Sequence, residues 1–420
     1  MNRSESPKRK TGVWLVGACG GVATLAALGA RAVVRGLRPP TGLLTSTRLF
    51  DGLDLPPLEA LVFGGHEIRS MDLHCAATEF GRRAGILDTA LLTVLRDDID
   101  AIDRDIRPGF LVNAGEAVEA LADEGHARRA ATPAEVVAGM QADWRAFAER
   151  HGLETIVVVN VSSTEPPAPV PIEFASLAAL RERIESGSHS DGLGCSVLTA
   201  YAALDMGLPT INFTPSPGSA IPALQELALE RGVPHMGADG KTGETLVKTA
   251  LAPMFASRAL RVLSWEGYNM LGNRDGFVLN DPAARESKTR SKDHAIRQIL
   301  GDDDTHSRVT IDYVPSLDDW KVAWDYIHFE GFMGARMSMQ FTWQGNDSAL
   351  AAPLVLDLVR LAAFARAQGE RGLMTHTAAY FKSPTGVEEQ NFVKQFALLE
   401  QYVAHHRSAG HAKQEERDRG

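Results

Sequence analysis

The stretch VWLVGACGGVATLAALGARAVV, residues 13–34, decides the fold that we predict for this chain. It reads as a short apolar strand, a glycine-rich turn and a helix, which is the order of the first unit of a dinucleotide-binding fold. Glycines at 17, 20 and 21 let backbone N–H groups approach a pyrophosphate at the start of the helix. Their spacing departs from GxGxxG, so a tight strand–helix junction is the alternative interpretation. The basic residues before the stretch also resemble the start of a signal peptide, but a strand–turn–helix unit explains the glycines better.

The acid that usually binds the ribose is expected about 20 positions after the glycines, but that region reads RGLRPP, residues 35–40. Arg35 and Arg38 are then either ligands for a 2′-phosphate or solvated residues at a helix end. A second strand is predicted within residues 58–68, running into a turn at Gly64 and Gly65. Glu67 at its end is either the ribose ligand or an ordinary turn carboxylate.

Two further apolar runs end in small polar residues, ETIVVVNVSSTEPP at 154–167 and LPTINFTPSP at 208–217. Buried parallel strands deliver loops to a ligand crevice in this way. Helical periodicity fills the segments between the runs. The alternation predicts an α/β fold, a Rossmann-type doubly wound parallel sheet.

Composition narrows the function. With 43 basic against 53 acidic residues the net charge is −10, which argues against nucleic acid as a partner. The three cysteines have no paired spacing, and a reducing cytoplasm fits best. The apolar segment 348–368 is flanked and interrupted by charge, so we predict a buried helix and no membrane partner.

Lysine is rare in this chain: there are 10 lysines and 33 arginines, and none of the lysines lies between Lys10 and Lys241. A buried lysine can exchange a proton near neutral pH, whereas arginine stays charged. The later lysines are therefore candidates for chemistry. The ordinary alternatives are a solvated basic face for Lys288 and Lys292 and an exposed ion pair for Lys321.

Composition changes after Lys241, and residues 245–350 are predicted to form a second α+β unit. It carries strand-like stretches at 261–269, 307–315 and 335–345. The segment GADGKTGETLVKT, residues 237–249, either holds a phosphate at a helix N-terminus or supplies a helix N-cap. NMLGNRDG, residues 269–276, is typical of turns, and Asp347 is a candidate N-cap.

Five segments occur in an order that resembles the myo-inositol-1-phosphate synthase (inositol-3-phosphate synthase) family. They are KTGETLVKT, SWEGYNMLGNRDG, ESKTRSK, DYVPSLDDWK and NDSALAAPLVLDLVRL, at 241–249, 264–276, 286–292, 312–321 and 346–361. The resemblance extends from GACGG to about Lys382.

The resemblance implies a tightly bound NAD, glucose 6-phosphate as substrate, and an inserted α+β catalytic and tetramerisation domain that makes a homotetramer. The family oxidises C5 with NAD, removes a proton at C6, closes the ring by aldol attack on C1 and reduces the C5 ketone. Ammonium groups suit these steps because each one creates or protonates an oxyanion. A divalent or monovalent cation is also implied, without an identified ligand set.

The resemblance also implies roles for individual residues. Lys288 and Lys382 would serve O5 and the enolate, Lys321 the oxygen at C1, and Lys292 the phosphate. The phosphate-binding positions would be Thr242, Gly243, Glu244, Thr245 and Asn273. Acidic positions that orient the lysines and the nicotinamide side would be Asp239, Asp275 and Asp347. The NAD cradle would be Gly17, Ala18, Cys19, Gly20, Gly21, Glu67, Ser162, Ser163 and Thr164.

The implied domains are an NAD-binding unit at 11–244, the catalytic and oligomerisation unit at 245–350, and a return to the first unit at 351–405. Residues 1–10 are expected to be disordered and 406–420 to form a flexible tail.

The sequence departs from the family at several positions. His66 and Glu67 replace a frequent Trp-Asp pair, Arg274 replaces a frequent Asn, and the glycine turn lacks its usual Asn pair. Glu244 replaces a frequent Gln and would stand beside the phosphate, so we expect its carboxylate to turn outward. The alternatives are an enzyme of the same fold for another sugar phosphate, a simple NAD-dependent dehydrogenase, or a non-catalytic NAD-binding protein.

Overall fold

The structure is a computed structural model that describes residues 10–130, 132–166, 172–186, 193–272, 296–302 and 304–419, with side chains to Ser408 at the C-terminal end. Four predicted site residues, Asn273, Asp275, Lys288 and Lys292, lie outside the described residues, as do Arg274 and the expected disordered residues 1–9.

Seven parallel strands form the large sheet. They are β1 (Thr11–Val16), β2 (Leu61–Glu67), β3 (Ile106–Pro108), β4 (Thr155–Asn160), β5 (Thr210–Asn212), β6 (Pro234–Gly237) and β11 (Gly372–Leu373). Their order is β11-β6-β5-β4-β1-β2-β3. The first six strands therefore follow the 3-2-1-4-5-6 order of the dinucleotide-binding fold, which confirms the predicted Rossmann-type sheet.

Helices cover both faces of this sheet. They are α1 (Gly21–Val34), α2 (Leu73–Ala84), α3 (Thr89–Val94), α4 (Arg96–Asp103), α5 (Glu116–Glu119), α6 (Pro133–His151), α7 (Leu177–Glu185), α8 (Cys195–Asp205) and α9 (Pro222–Arg231). Val13 and Leu15 belong to the core on one face, while Trp14 belongs to the core on the other. Because side chains alternate along a strand, an uninterrupted apolar run such as 156–159 is required when both faces are covered.

A second sheet follows α10 (Gly243–Ser257). Its strands are β7 (Arg261–Leu271), β8 (His306–Tyr313), β9 (Trp320–Glu330) and β10 (Arg336–Asn346), in the order β10-β9-β7-β8. Phe255 of α10 packs on Trp265 and Phe329, so one face of the sheet is covered by this helix. The three strand-like stretches predicted here are confirmed, whereas β9 was not predicted.

The chain then returns to the large sheet through α11 (Asp347–Ala367) and β11, and it ends with α12 (Phe392–Arg419). By length and composition α11 would suffice to cross a membrane, but 72% of its apolar window is buried in the fold. It packs against α1 and β4 as a core helix. Helical backbone continues to Arg419, and the flexibility expected for 406–420 stays a prediction.

One carboxylate inside α11 ties this helix to the loop after α1. Asp357 is fully buried and accepts hydrogen bonds from the backbone N–H of Leu44 and Thr45, each at 2.9 Å, and from the Thr45 hydroxyl at 2.5 Å. Burial raises the pKa of Asp357 from 3.8 to about 6, although the bonds from Thr45 and Leu44 oppose the change.

We predict that Asp357→Asn reveals a pH-dependent contribution to stability. An acid whose pKa is raised on folding stabilises the native state below its unfolded pKa, and this contribution disappears as the pH rises through the folded pKa. The difference in unfolding free energy, wild type minus variant, should therefore fall by about 2 kcal/mol between pH 4 and pH 7. Denaturant unfolding of both proteins across this range measures it, and a difference independent of pH would contradict the prediction.

Candidate active site

The glycine turn joins β1 to α1 at the place where the strand order of the sheet reverses. The N–H groups of Gly17 and Ala18 donate to the carbonyl of His66, at 2.9 and 3.0 Å. Gly17 has φ +90°, and a Cβ there would lie 3.0 Å from the Cα of Ser162. A side chain at 17 would thus be both strained and blocked, so the backbone itself forms the floor of the crevice.

The start of α1 fits the pyrophosphate of a dinucleotide. Gly20 occupies the N-cap without a side-chain cap, and no acidic residue lies in the first turn. A Cβ on Gly21 would come within 2.6 Å of the Ser348 hydroxyl. Bare N–H groups and the positive end of the helix dipole favour an anion at this point.

The end of β2 lies beside this turn. Gly64 and Gly65 are part of the strand and not of a turn, which corrects the sequence interpretation. A Cβ on Gly65 would lie 2.2 Å from the carbonyl oxygen of Leu15, so close strand packing requires glycine there. Glu67 ends the strand and is buried.

His66 is fixed on the other side of β2 by neighbours that the sequence did not indicate. Its Nδ1 accepts from Trp14 Nε1 at 3.1 Å, and its Nε2 lies 2.9 Å from an Asp143 carboxylate oxygen. Since Nδ1 is an acceptor, the proton of the neutral ring belongs on Nε2. Burial lowers the pKa of His66, against the effect of Asp143, and so favours this neutral form.

A single cavity of about 350 Å³ brings most of the predicted residues together. Its lining includes Gly17, Cys19, Gly20, Gly21, Glu67, Ser162, Ser163, Thr164, Asp239, Thr242, Lys321, Asp347 and Lys382. The described cofactor residues other than Ala18 therefore share one cavity with the described catalytic residues. Ala18, Gly243, Glu244 and Thr245 are not part of its lining.

Lys382 and Asp239 form an ion pair in this cavity. Lys382 Nζ lies 2.9 Å from Asp239 Oδ1, and the backbone N–H of Lys382 donates to the Asp239 carbonyl at 2.6 Å. Asp239 has φ +61°, a conformation that Asp tolerates better than most residues. Its own N–H donates to the carbonyl of Thr214, so backbone contacts on both sides hold the pair in place.

Thr242 and Asp347 meet across the two units. The Thr242 hydroxyl donates to Asp347 Oδ1 at 2.9 Å and makes no cap for α10. Asp347 is the first residue of α11, and the N-cap is Asn346, whose side chain accepts from the N–H of Ala349 at 2.8 Å. Thr242 therefore occupies the N-cap position of α10 without a capping hydrogen bond from its side chain, whereas the N-cap interpretation of Asp347 is wrong.

Lys321 enters the cavity from the start of β9. The neighbouring Asp319 accepts from the N–H and hydroxyl of Ser348, at 3.1 and 3.0 Å, and Asp318 lies 3.7 Å from Arg83. In the described part of the chain neither acid forms the expected surface ion pair with Lys321.

Lys241 is buried beside the cavity wall. Its ammonium donates to the side chain of Gln395 and lies 6.0 Å from the centre of the Phe392 ring. Burial, together with the charge of Lys382, lowers the pKa of Lys241 to about 7.

Glu244 points into the protein and not outward, so the sequence expectation is wrong. It is fully buried with Oε1 2.5 Å from Lys248 Nζ, and Lys248 also lies 3.0 Å from Asp325 Oδ1. Trp265 Nε1 donates to Asp325 at 2.8 Å. Burial opposes the charge on Lys248, but Glu244 and Asp325 outweigh it and raise the pKa of this lysine. The carboxylate of Glu244 thus meets the ammonium of Lys248.

Asn269 is a cavity residue that sequence reasoning assigned to a turn. It lies in β7, is completely buried, and neither polar atom of its side chain has a hydrogen-bond partner in the described part of the chain. The alternation of WEGYNML along a strand was the available signal. In the described ranges no three His, Cys, Asp or Glu side chains gather as a metal site, so the implied cation stays a prediction.

The fold and the cavity define a Rossmann-type dinucleotide-binding enzyme with an inserted sheet. The family model described as myo-inositol-1-phosphate synthase matches residues 11–404. Inositol-3-phosphate synthase 1 of Bacteroides thetaiotaomicron is 34% identical over 393 residues, covering 89% of each chain. The chain therefore belongs to the myo-inositol-1-phosphate synthase family, which confirms the resemblance seen in the sequence, and its cofactor is NAD.

More distant relatives agree with this assignment. Inositol-3-phosphate synthase 1 of Oryza sativa is 30% identical over 317 residues, which are 72% of this chain and 59% of the rice protein. The crystal structure of inositol-3-phosphate synthase from Caenorhabditis elegans superposes with a TM-score of 0.84 at 25% identity, covering 94% of this chain and 86% of that one. A myo-inositol-1-phosphate synthase-related protein from Thermotoga maritima has a TM-score of 0.75 at 24% identity over 94% of this chain and 99% of its own, which shows the shared fold.

We predict that Lys248→Met destabilises the protein by about 3–5 kcal/mol, because it leaves two buried carboxylates without a counter-charge. Urea unfolding measures the loss. The matched control is Lys394→Met, since Lys394 is 68% exposed in its pair with Glu389 and should matter little. Equal effects of the two variants would refute a structural role for the buried pair.

Glu244→Gln should leave the affinity for a sugar phosphate unchanged.

Proposed function

We propose that this protein converts D-glucose 6-phosphate to 1D-myo-inositol 3-phosphate, the first step of inositol and inositol-phospholipid biosynthesis. It is an intramolecular lyase of the isomerase class that consumes no net NAD. Family membership supports the overall reaction. The observation that carries the proposal is the Lys382–Asp239 ion pair, which lies in the same cavity as the dinucleotide turn.

The cofactor end of the cavity is formed by the glycine turn and by the loop Ser162–Thr164 after β4. Bound NAD would supply the hydride acceptor for oxidation at C5 and return the hydride to the C5 ketone. The chain's own part is to hold the dinucleotide between the N-terminus of α1 and this loop.

The lysines supply proton transfer and charge stabilisation. Lys382, held beside Asp239, would accept the proton of the C5 oxygen in its neutral form, and as the resulting ammonium it would stabilise the enolate and return the proton. Lys321 would stabilise the oxygen that forms at C1 during ring closure. The Lys382 side chain is only 13% exposed, and an ammonium acts more strongly on an oxyanion there than it does in water.

The phosphate end would be the N-terminus of α10. The Thr242–Asp347 hydrogen bond joins this helix to α11 and so fixes the position of the turn. The family implies phosphate and proton-transfer roles for Lys288, Lys292 and Asn273, and a role on the nicotinamide side for Asp275. These roles stay predictions.

We predict that purified protein with glucose 6-phosphate and NAD forms an inositol monophosphate without net NADH. Phosphorus NMR follows the product and absorbance follows NADH in the same sample. Lys382→Ala should lower the rate by about 10²–10⁴-fold, because a positioned acid–base group is lost, while NAD binding remains. Lys394→Ala, an exposed lysine outside the cavity lining, is the matched control.

Steady accumulation of NADH would instead identify a dehydrogenase for this sugar phosphate. Turnover of a different sugar phosphate with recycled cofactor would retain the reaction class and change the substrate. Unchanged activity of Lys382→Ala would remove this lysine from the mechanism.

We further propose a homotetramer assembled through the second sheet. The β9–β10 hairpin carries Phe332 and Met333 at its tip, 91% and 87% exposed, and Met337, Trp324 and Tyr268 on the sheet are also exposed. A cluster of exposed large apolar side chains is typical of a protein interface. Burial of this surface against other copies would stabilise the assembly.

We predict that the double variant Phe332→Ser, Met333→Ser shifts the assembly to a lower mass, because two apolar anchors are lost from the interface. Sedimentation velocity at micromolar concentration measures the shift. Val393→Ser removes an apolar side chain that is 63% exposed on α12 and serves as the control. A wild-type protein that sediments as a monomer would contradict the tetramer directly.

A further inference from the structure

The ribose side of the cofactor site contains a residue that the family resemblance does not assign. Arg69 follows Glu67 by two positions and lines the same cavity. Its Nε lies 3.0 Å from Glu67 Oε1 and its Nη2 3.0 Å from Glu67 Oε2, so the guanidinium grips both carboxylate oxygens. The pair is mostly buried, with Arg69 only 11% exposed.

The carboxylate of Glu67 has no capacity left for a ribose. Besides the two bonds from the Arg69 side chain, it accepts from the backbone N–H of Cys19 and Ile68, both at 2.9 Å, and of Arg69 at 3.1 Å. A carboxylate offers about four lone-pair sites, and here five donors converge on it. A ribose hydroxyl could donate to it only by displacing one of them.

An acid at this position normally selects NAD in two ways. It accepts hydrogen bonds from the free 2′-hydroxyl, and its negative charge repels a 2′-phosphate. In this chain Arg69 occupies the acceptor sites and cancels the charge. Both grounds for rejecting NADP are therefore weakened.

Arg69 also has donors to spare. A guanidinium carries five N–H bonds, and among the described residues Nη1 has only the Met71 sulfur as a partner, at 3.8 Å. Sulfur is a weak acceptor, so a phosphate oxygen would be preferred. Arginine is well matched to a phosphate because it can donate two parallel hydrogen bonds.

The arginines that the sequence suggested for a 2′-phosphate do not compete for this role. Arg35 pairs with Asp98 at 2.7 Å and Arg38 with Asp88 at 3.3 Å. Neither belongs to the cavity lining, whereas Arg69 does.

We infer that Arg69 is a cofactor-specificity residue, and that by neutralising Glu67 and facing the ribose it lets this site bind NADP as well as NAD. The inference rests on the cofactor site of the proposed function and is independent of the sugar chemistry. NADP should bind within about tenfold of NAD. Removal of the guanidinium should weaken NADP binding by about 10- to 100-fold, the loss expected for charge-assisted hydrogen bonds, while NAD binding stays the same or tightens.

The test is equilibrium dialysis of the full-length protein against mixtures of NAD and NADP without sugar phosphate. Bound nucleotides are then released and quantified by chromatography. The bound ratio gives the relative affinity directly, even when NAD purifies with the protein. Failure to turn over glucose 6-phosphate would leave this measurement intact, so the two proposals can fail separately.

Wild type is compared with Arg69→Gln, with Arg69→Lys and with the control Arg82→Gln, an exposed arginine of α2 outside the cavity lining. Arg69→Lys keeps one charge without the two-pronged contact and should fall between the other proteins. If Arg69→Gln does not fold, the wild-type ratio and the lysine variant decide the question. A wild type that binds NADP more than 100-fold weaker than NAD overturns the inference, as does a bound ratio that Arg69 variants leave unchanged.

Discussion

The rest of the site depends on the close approach of three backbones at the centre of the large sheet. The turn after β1 hydrogen-bonds to the end of β2 through the carbonyl of His66 and, at Gly17, leaves no space for a side chain before Ser162. This contact places the start of α1, the acid at the end of β2 and the loop after β4 around one crevice. A sheet with its strand order reversed at this point opens a cleft there, and the glycines keep the cleft deep enough for a ligand.

A second constraint is the placement of charge in a dry interior. Lys382 and Lys248 each lie beside a buried carboxylate, whereas Lys241 donates to the side-chain amide of Gln395. Desolvation penalises an isolated ammonium strongly, so the pairing decides which lysines stay charged. Arginine, which stays charged, is the common cation of this chain, whereas the buried lysines lie where a compact ammonium fits and can exchange a proton.

Local patterns of glycine and apolar residues predicted the first strand–turn–helix unit and the buried parallel strands. Most of the cavity residues were predicted from the resemblance to the family, since no local pattern shows which distant segments meet. The sequence could not predict the partners. Glu244 was expected to face outward because the sequence does not show that Lys248, one helical turn later, lies beside it in the interior. Asp347 looked like a cap until the structure showed Asn346 in that role. Strand β9 was missed because its Lys and Asp residues suggested a site, and Arg69 because its meaning depends on where the neighbouring carboxylate points.

Lys382 directly follows Phe381, which pairs with Gly240 in an isolated β-bridge. This segment comes shortly after β11, the strand that pairs with β6 in the large sheet. The ion pair of the site therefore joins residues separated by more than 140 positions in the chain. A ribosome delivers Asp239 long before it delivers Lys382, so the emerging chain can complete its early strands while the site still lacks this ammonium. On the role proposed for Lys382, activity would be withheld until synthesis is nearly finished, and a chain cut short before β11 would keep the cofactor turn without this ammonium.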